Sequence, residues 1–183
     1  MTTLALPFAT RRTNAAAAAK PGFDIGPAAR TAISLACFTM SFAIIWALGR
    51  AALGLAPDVS AYAKLPIIIH VAAVLPTIPL GGWLLLAKKG TALHKQLGKL
   101  WLVLMLVTAS SAIFIQSSGS FSWIHLFVPL TFHAAWKVMA TARAGNIAAH
   151  KAHLVRTYLT ALMIPGIAAF LIPGRLMQVL LLG

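Results

Sequence analysis

The sequence predicts an all-α, polytopic membrane protein of five transmembrane helices. Spans two to five form a four-helix bundle built from two similar helical hairpins. Three observations carry this expectation. Of 183 residues, 60% are apolar and only 9% charged, with a mean hydropathy of +0.89; a soluble domain carries about 25% charged residues. The charges are also spaced like span boundaries: Arg30 to Arg50 leaves 19 uncharged positions, Lys64 to Lys88 leaves 23, Lys99 to Lys137 leaves 37 and Arg156 to Arg175 leaves 18. A crossing helix needs about 20 apolar residues, and the longest interval holds two joined by a tight turn. Finally, the basic residues alternate in density from one side of these spans to the other.

Taken in order, residues 1–30 read as a flexible basic cytoplasmic tail carrying Arg11, Arg12, Lys20 and Arg30 around a run of five alanines, Ala15 to Ala19. No 7–15-residue apolar stretch follows the charges as a signal peptide requires. Thr10-Arg11-Arg12 hints at a twin-arginine export signal without the hydrophobic residues that should follow, and the acid-poor start resembles a mitochondrial presequence; the tail is the preferred reading. The single transmembrane domain, 31–183, then holds spans at about 31–50, 66–87, 97–117, 121–142 and 150–172. Pro76 and Pro79 are expected to bend the second span. Residues 116–120 (Gln-Ser-Ser-Gly-Ser) read as the turn between the third and fourth, and Pro165-Gly166 and Pro173-Gly174 shape and end the fifth. Trp46, Trp83, Trp101, Trp123 and Trp136 mostly fall near span ends, as an interfacial belt requires, and Ser110 and Ser111 read as packing or backbone-bonding residues.

Twelve of the fifteen Lys and Arg residues lie on one side of these spans: four in the tail, then Lys88, Lys89, Lys95 and Lys99, then Lys137, Arg143, Lys151 and Arg156. Arg50, Lys64 and Arg175 lie on the other. The positive-inside rule puts the N-terminus in the cytoplasm and the C-terminus in the periplasm of a multi-pass bacterial inner-membrane protein. The net charge of +13 is thereby a matter of topology and anionic headgroups in the lipid bilayer, with no nucleic acid implied.

The acids and the thiol exclude much chemistry. Asp24 and Asp58 are the only carboxylate side chains and neither lies in an apolar stretch, so a carboxylate dyad, a carboxylate metal cage and an intramembrane acidic proton relay are excluded within this chain. Cys37 stands alone, which excludes an internal disulfide, a CxxCH haem attachment and a thiolate zinc site; a lone thiol in a span reads as a small packing residue. No Walker loop or nucleophile–base arrangement is visible. Six histidines remain.

Four of them fall into a weak internal repeat. His70 to His94 is 24 residues and His125 to His150 is 25. Lys89-Gly90-Thr91-Ala92-Leu93-His94-Lys95 can be laid beside Arg143-Ala144-Gly145-Asn146-Ile147-Ala148-Ala149-His150-Lys151: a basic residue, a glycine to turn the chain, then His-Lys at the start of a span. Two hairpins entering from the same side are related by an axis along the membrane normal. That axis would set His70 opposite His125 near the outer face and His94 opposite His150 near the cytoplasmic face. Facing histidines in a bundle can be the axial ligands of haem iron. Gly98, Gly81 and Gly82 would admit a macrocycle, and Lys95 and Lys151 would steady its propionates. His133 competes with His125 and His153 with His150. Against this, histidines among boundary lysines can simply touch lipid phosphates, and those within spans can make interhelical hydrogen bonds, although ionisable groups there are functional hypotheses by default.

From His70 to Arg175 the chain also resembles a bacterial membrane-protein family catalogued as domain of unknown function 2306 (DUF2306). The resemblance lies in His70-Val71-Ala72-Ala73, Lys89 to Gly98, Phe121-Ser122-Trp123-Ile124-His125-Leu126, His150 to Tyr158 and Pro173-Gly174-Arg175. It singles out His70, His94, His125 and His150 and implies a membrane protein. More distantly the chain is similar to transmembrane dihaem cytochromes b, in which histidines of spans two and four hold one haem and those of three and five the other. The expectation is therefore transmembrane electron transfer through two b-type haems, the outer held by His70 and His125 and the inner by His94 and His150; span two runs about 27 Å over the roughly 18 residues from His70 to Lys88, which would put the haems near opposite faces. A quinol or a redox partner subunit would be the donor. Two alternatives stay open: a non-catalytic accessory or assembly subunit of a larger membrane complex, and a small quinone-binding or transport protein without haem.

Overall fold

The computed structural model describes residues 25–116 and 122–183; most of the expected tail and of the expected turn at 116–120 lies outside them. The described residues are helical without strands: α1 (Pro27–Ala52), α2 (Leu65–Leu86), α3 (Ala92–Ala112), α4 (Phe127–Arg143), α5 (Ile147–Arg156), α6 (Ile164–Leu171) and α7 (Leu176–Leu182). A π-helical stretch, Thr157–Met163, joins α5 to α6 into one rod, Ile147–Leu171. Short 3-10 turns at Ser60–Tyr62 and Trp123–Leu126 precede α2 and α4. Three rods are long and apolar enough to cross a membrane: Pro27–Ala52, Leu65–Leu86 and Ile147–Leu171.

The helix starts follow from local chemistry. Pro27 opens α1, and Pro66 sits in the first turn of α2, positions where a missing N–H leaves nothing unpaired. Thr91 caps α3 by accepting from the His94 N–H at 3.1 Å, and Asn146 caps α5 by accepting from the Ala149 N–H at 3.1 Å. These caps start α3 and α5 several residues before the expected 97 and 150. The fourth span begins instead with the Trp123–Leu126 turn, and α7 is an element the sequence did not announce. The π-helical winding has a cause in Pro165. It offers no N–H to the Ala161 carbonyl and its ring needs room there, so the preceding turns widen.

The hub of the packing is α2, which lies most extensively against α3 and also against α1. A Cβ on Gly81 would stand 2.5 Å from Trp101 Nε1 and 2.8 Å from the Tyr158 ring, and Gly82 faces Cys37 and Tyr158 in the same way. The two glycines thus admit side chains from α3, the π stretch and α1. Trp101 donates to the Thr77 carbonyl at 2.9 Å and Tyr158 to the Ile78 carbonyl at 3.1 Å. Trp101 is 2% exposed, a core residue rather than part of an interfacial belt. Trp46, Trp83, Trp123 and Trp136 do lie on the surface. Outside, α1 presents Phe38, Phe42 and Trp46 as a stacked ladder with ring centroids 6.5 Å apart. Such a surface suits lipid, where cohesion between helices comes from close packing and interhelical hydrogen bonds.

Candidate functional site

The histidines fall at two ends of the molecule. At one end the starts of α3 and α5 meet the end of α2 around a small cavity of about 30 Å³, whose walls include Lys89, His94, His150 and Lys151. The expected pair His94 and His150 is therefore brought together. The two loops that deliver it share their geometry. Gly90 and Gly145 are both left-handed (φ +81° and +66°), and each is followed at once by the capping residue. His94 is the third residue after its cap, whereas His150 is the fourth after its own. One residue is about 100° of helix rotation, so the rings are not equivalent. His150 donates Nδ1–H to the Val138 carbonyl on α4 at 3.0 Å, while His94 Nδ1 is buried without a hydrogen-bond partner among the described residues. The space has room for one or two waters, so a haem does not fit between these rings. Gly98, expected to admit a macrocycle, faces open space.

At the other end lies a cavity of about 490 Å³ between α2, α3, the start of α4, and the π–α6 rod, bordered at one end by the loops before α2 and α7. Its walls are mostly apolar, with Tyr62, Lys64, His70, Thr108, Gln116, Thr131 and Arg175 as polar or charged members. The volume falls within the roughly 300–1,000 Å³ of cofactor pockets. His70 Nδ1 stands 2.9 Å from the Thr108 carbonyl and 3.3 Å from the Ser111 hydroxyl. A carbonyl only accepts, so Nδ1 carries the proton and Nε2 keeps its lone pair. A hydrogen-bond acceptor behind the ring selects the metal-binding tautomer of histidine in the same way.

His125 does not line this cavity. Ile124 and Phe127 line the cavity, but His125 belongs to the 3-10 turn. There Ser122 N–H donates to Nδ1 at 3.1 Å while the Ser122 side chain serves the His125 end of the turn, closing a capping box. The fourth span starts with this turn, and its capping geometry holds the ring locally. His133 is exposed beside Trp136, ring centroids 5.9 Å apart. His153 is half-buried and lines neither cavity. Lys95 likewise lines neither.

Sequence reasoning missed the mouth of the large cavity. Tyr62 donates its hydroxyl to the Gly174 carbonyl at 2.9 Å, and Gly174 N–H donates to Gln178 Oε1 at 3.1 Å. The first of these bonds joins two loops more than a hundred residues apart, and the second holds Gly174 to the start of α7. Gly174 is left-handed (φ +75°), which a glycine alone adopts without strain. The available signal is the Pro173-Gly174-Arg175 motif, which reads as a helix end and as part of the family resemblance. Nearby, the Ser60 N–H and hydroxyl hold the Asp58 carboxyl below its usual range.

Residues 67–178 match the family model described as predicted membrane protein, DUF2306. No curated protein and no solved structure matches the chain.

Proposed function

The chain belongs to the DUF2306 family of predicted membrane proteins, and we propose that it is an electron-transfer protein of the bacterial inner membrane carrying haem b in its large cavity. The observation that supports this reading is a 490 Å³ cavity with His70 in its wall, the imidazole proton committed to the Thr108 carbonyl. His70 would hold the iron and the apolar walls would enclose the macrocycle. When bound, the haem would supply one-electron chemistry. Thr108 and Ser111 orient the imidazole and keep Nε2 unprotonated, and the packed rods below the cavity exclude water. The second haem of the sequence reading is not carried into this proposal, because the space between His94 and His150 is too small for it.

In this reading all five rods cross the bilayer. The fourth crosses as the Trp123–Leu126 turn plus α4, about 33 Å at 2.0 and 1.5 Å per residue. The third crosses with Lys95 and Lys99 extended to the interface. The basic end faces the cytoplasm and the cavity opens toward the periplasm. A second reading, a quinol site without haem, is favoured by the same His70 tautomer, since a bare Nε2 accepts from a quinol hydroxyl.

The test is the reduced-minus-oxidised visible spectrum of detergent-purified protein expressed with ample haem, with a pyridine haemochrome assay for stoichiometry. The expected result is one b-type haem per chain, lost in His70→Ala and retained in His125→Ala. A colourless wild type overturns the haem reading and leaves quinol binding as the alternative; equal haem content in wild type and His70→Ala removes His70 as ligand.

A further inference from the structure

Three basic residues stand against the charge asymmetry, and the fold uses only one of them for structure. Arg50 donates to the carbonyls of Leu55, Leu180, Leu181 and Gly183, closing the end of α7. The other two, Lys64 and Arg175, both line the mouth of the large cavity. Arg175 is half-buried there and its guanidinium has no hydrogen-bond or ion-pair partner among the described residues. The only acidic side chain among those residues, Asp58, is engaged by Ser60 at 2.9 and 2.8 Å. Two cations therefore line a cavity that supplies no carboxylate, Lys64 exposed and Arg175 half-buried, where an unpaired charge is costly. The arginine is also held in place. Tyr62, two residues before Lys64, bonds the Gly174 carbonyl next to Arg175, and Gln178 bonds the Gly174 N–H.

Resting on the reading of this cavity as a ligand site, we propose that its mouth recognises carboxylate: Arg175 and Lys64 hold the anionic edge of an amphiphilic ligand, here the propionates of a porphyrin, whose apolar body fills the space beside His70. The guanidinium fork matches a carboxylate with two parallel N–H donors, and Lys64 adds a second point charge. Lys64 lies six residues before His70 on the same chain, about 9 Å along α2. The mouth and the imidazole thus address opposite parts of one ligand. A neutral quinone head would leave both cations unused, so the mouth favours an acidic occupant.

The experiment titrates the full chain in mild detergent with iron protoporphyrin IX and with its dimethyl ester, reading quenching of its five tryptophans and the Soret band. Palmitic acid and methyl palmitate are titrated in parallel by tryptophan fluorescence. The free acid of the porphyrin is expected to bind about ten-fold tighter than the ester, a preference falling to about two-fold or less in Arg175→Gln/Lys64→Gln. Arg143→Gln, at the opposite end, keeps the preference. Acid and ester binding alike to the wild type overturn the carboxylate site while leaving the haem reading standing. This comparison needs no variant to fold. If neither porphyrin binds but palmitic acid outbinds its methyl ester, and does so only with Arg175 and Lys64 in place, the carboxylate site stands and the haem reading fails. Failure of both acids to outbind their esters overturns the proposal.

Discussion

Gly81 and Gly82 sit where three other segments converge on α2, and their missing side chains let Trp101, Tyr158 and Cys37 reach it. With almost no hydrophobic driving force between helices inside a bilayer, such close approaches and the bonds from Trp101 and Tyr158 to backbone carbonyls provide much of the cohesion. Gly81→Ala puts a methyl against an indole and a phenol ring, and the expected cost is about 1–3 kcal/mol, as for other overpacked cores. Gly98→Ala meets nothing within 4 Å and is expected to gain about 0.5–1 kcal/mol from helix propensity. Thermal unfolding in detergent, followed by tryptophan fluorescence, separates the two; equal effects would remove the packing account of Gly81. The sequence showed these glycines but not their neighbours, because Trp101 and Tyr158 come from helices 20 and 77 residues away and leave no periodic trace. Local context did place His94 near His150, since each loop carries its own glycine and cap. It could not show that the two histidines differ by one position after those caps, nor that Ser122 would hold His125 in its own turn.

At the scale of elements, charge spacing located the long rods because a bilayer penalises unpaired charge along a whole crossing. It was weaker at their ends, where caps decide: Thr91 and Asn146 begin α3 and α5 inside stretches that read as loop. Helix α7 shows the same limit. Its seven residues follow Pro173 and Gly174, which signal a stop, and what holds them is remote. Arg50, in the last turn of α1, donates to the carbonyls of Leu180 at 3.1 Å and Gly183 at 2.6 Å and also bonds Leu55 at 2.9 Å. A cation at a helix C-terminus satisfies orphan carbonyls and opposes the helix dipole. Arg50→Ala should loosen α7 by about 2 kcal/mol, a modest value for charged hydrogen bonds that are partly solvent-exposed. Amide hydrogen exchange then speeds up across Leu176–Leu182 while α2 and α3 keep their protection. Uniform loss of protection would mean that Arg50 supports the whole fold rather than this helix.

For the whole molecule, the large apolar side chains on the outside and the glycines, threonines and hydrogen-bonded rings within invert the arrangement of a soluble domain. Phe38, Phe42 and Trp46 are 71%, 60% and 55% exposed, whereas Thr77 and Tyr158 are fully enclosed. Because α1 is apolar on all sides, hydropathy marks a span without marking which face meets protein. The large cavity was for that reason invisible in the sequence: its mouth is made when Tyr62 meets Gly174 across 112 residues. What the charge pattern does contain is a direction. In the topology proposed from the positive-inside rule, the Arg143–Asn146 loop would lie in the cytoplasm and the Leu53–Pro57 loop in the periplasm. Cysteines placed at Ala144 and at Leu53, both exposed, report it directly. Cys37 needs no replacement, since its sulfur lies against Gly82. A membrane-impermeant maleimide added to intact bacterial cells should label Leu53→Cys but reach Ala144→Cys only after lysis. Labelling of both in intact cells would mean that an odd number of rods does not separate the two loops. Labelling of Ala144→Cys alone would turn the protein over and open the cavity, with Lys64 and Arg175 at its mouth, toward cytoplasmic ligands.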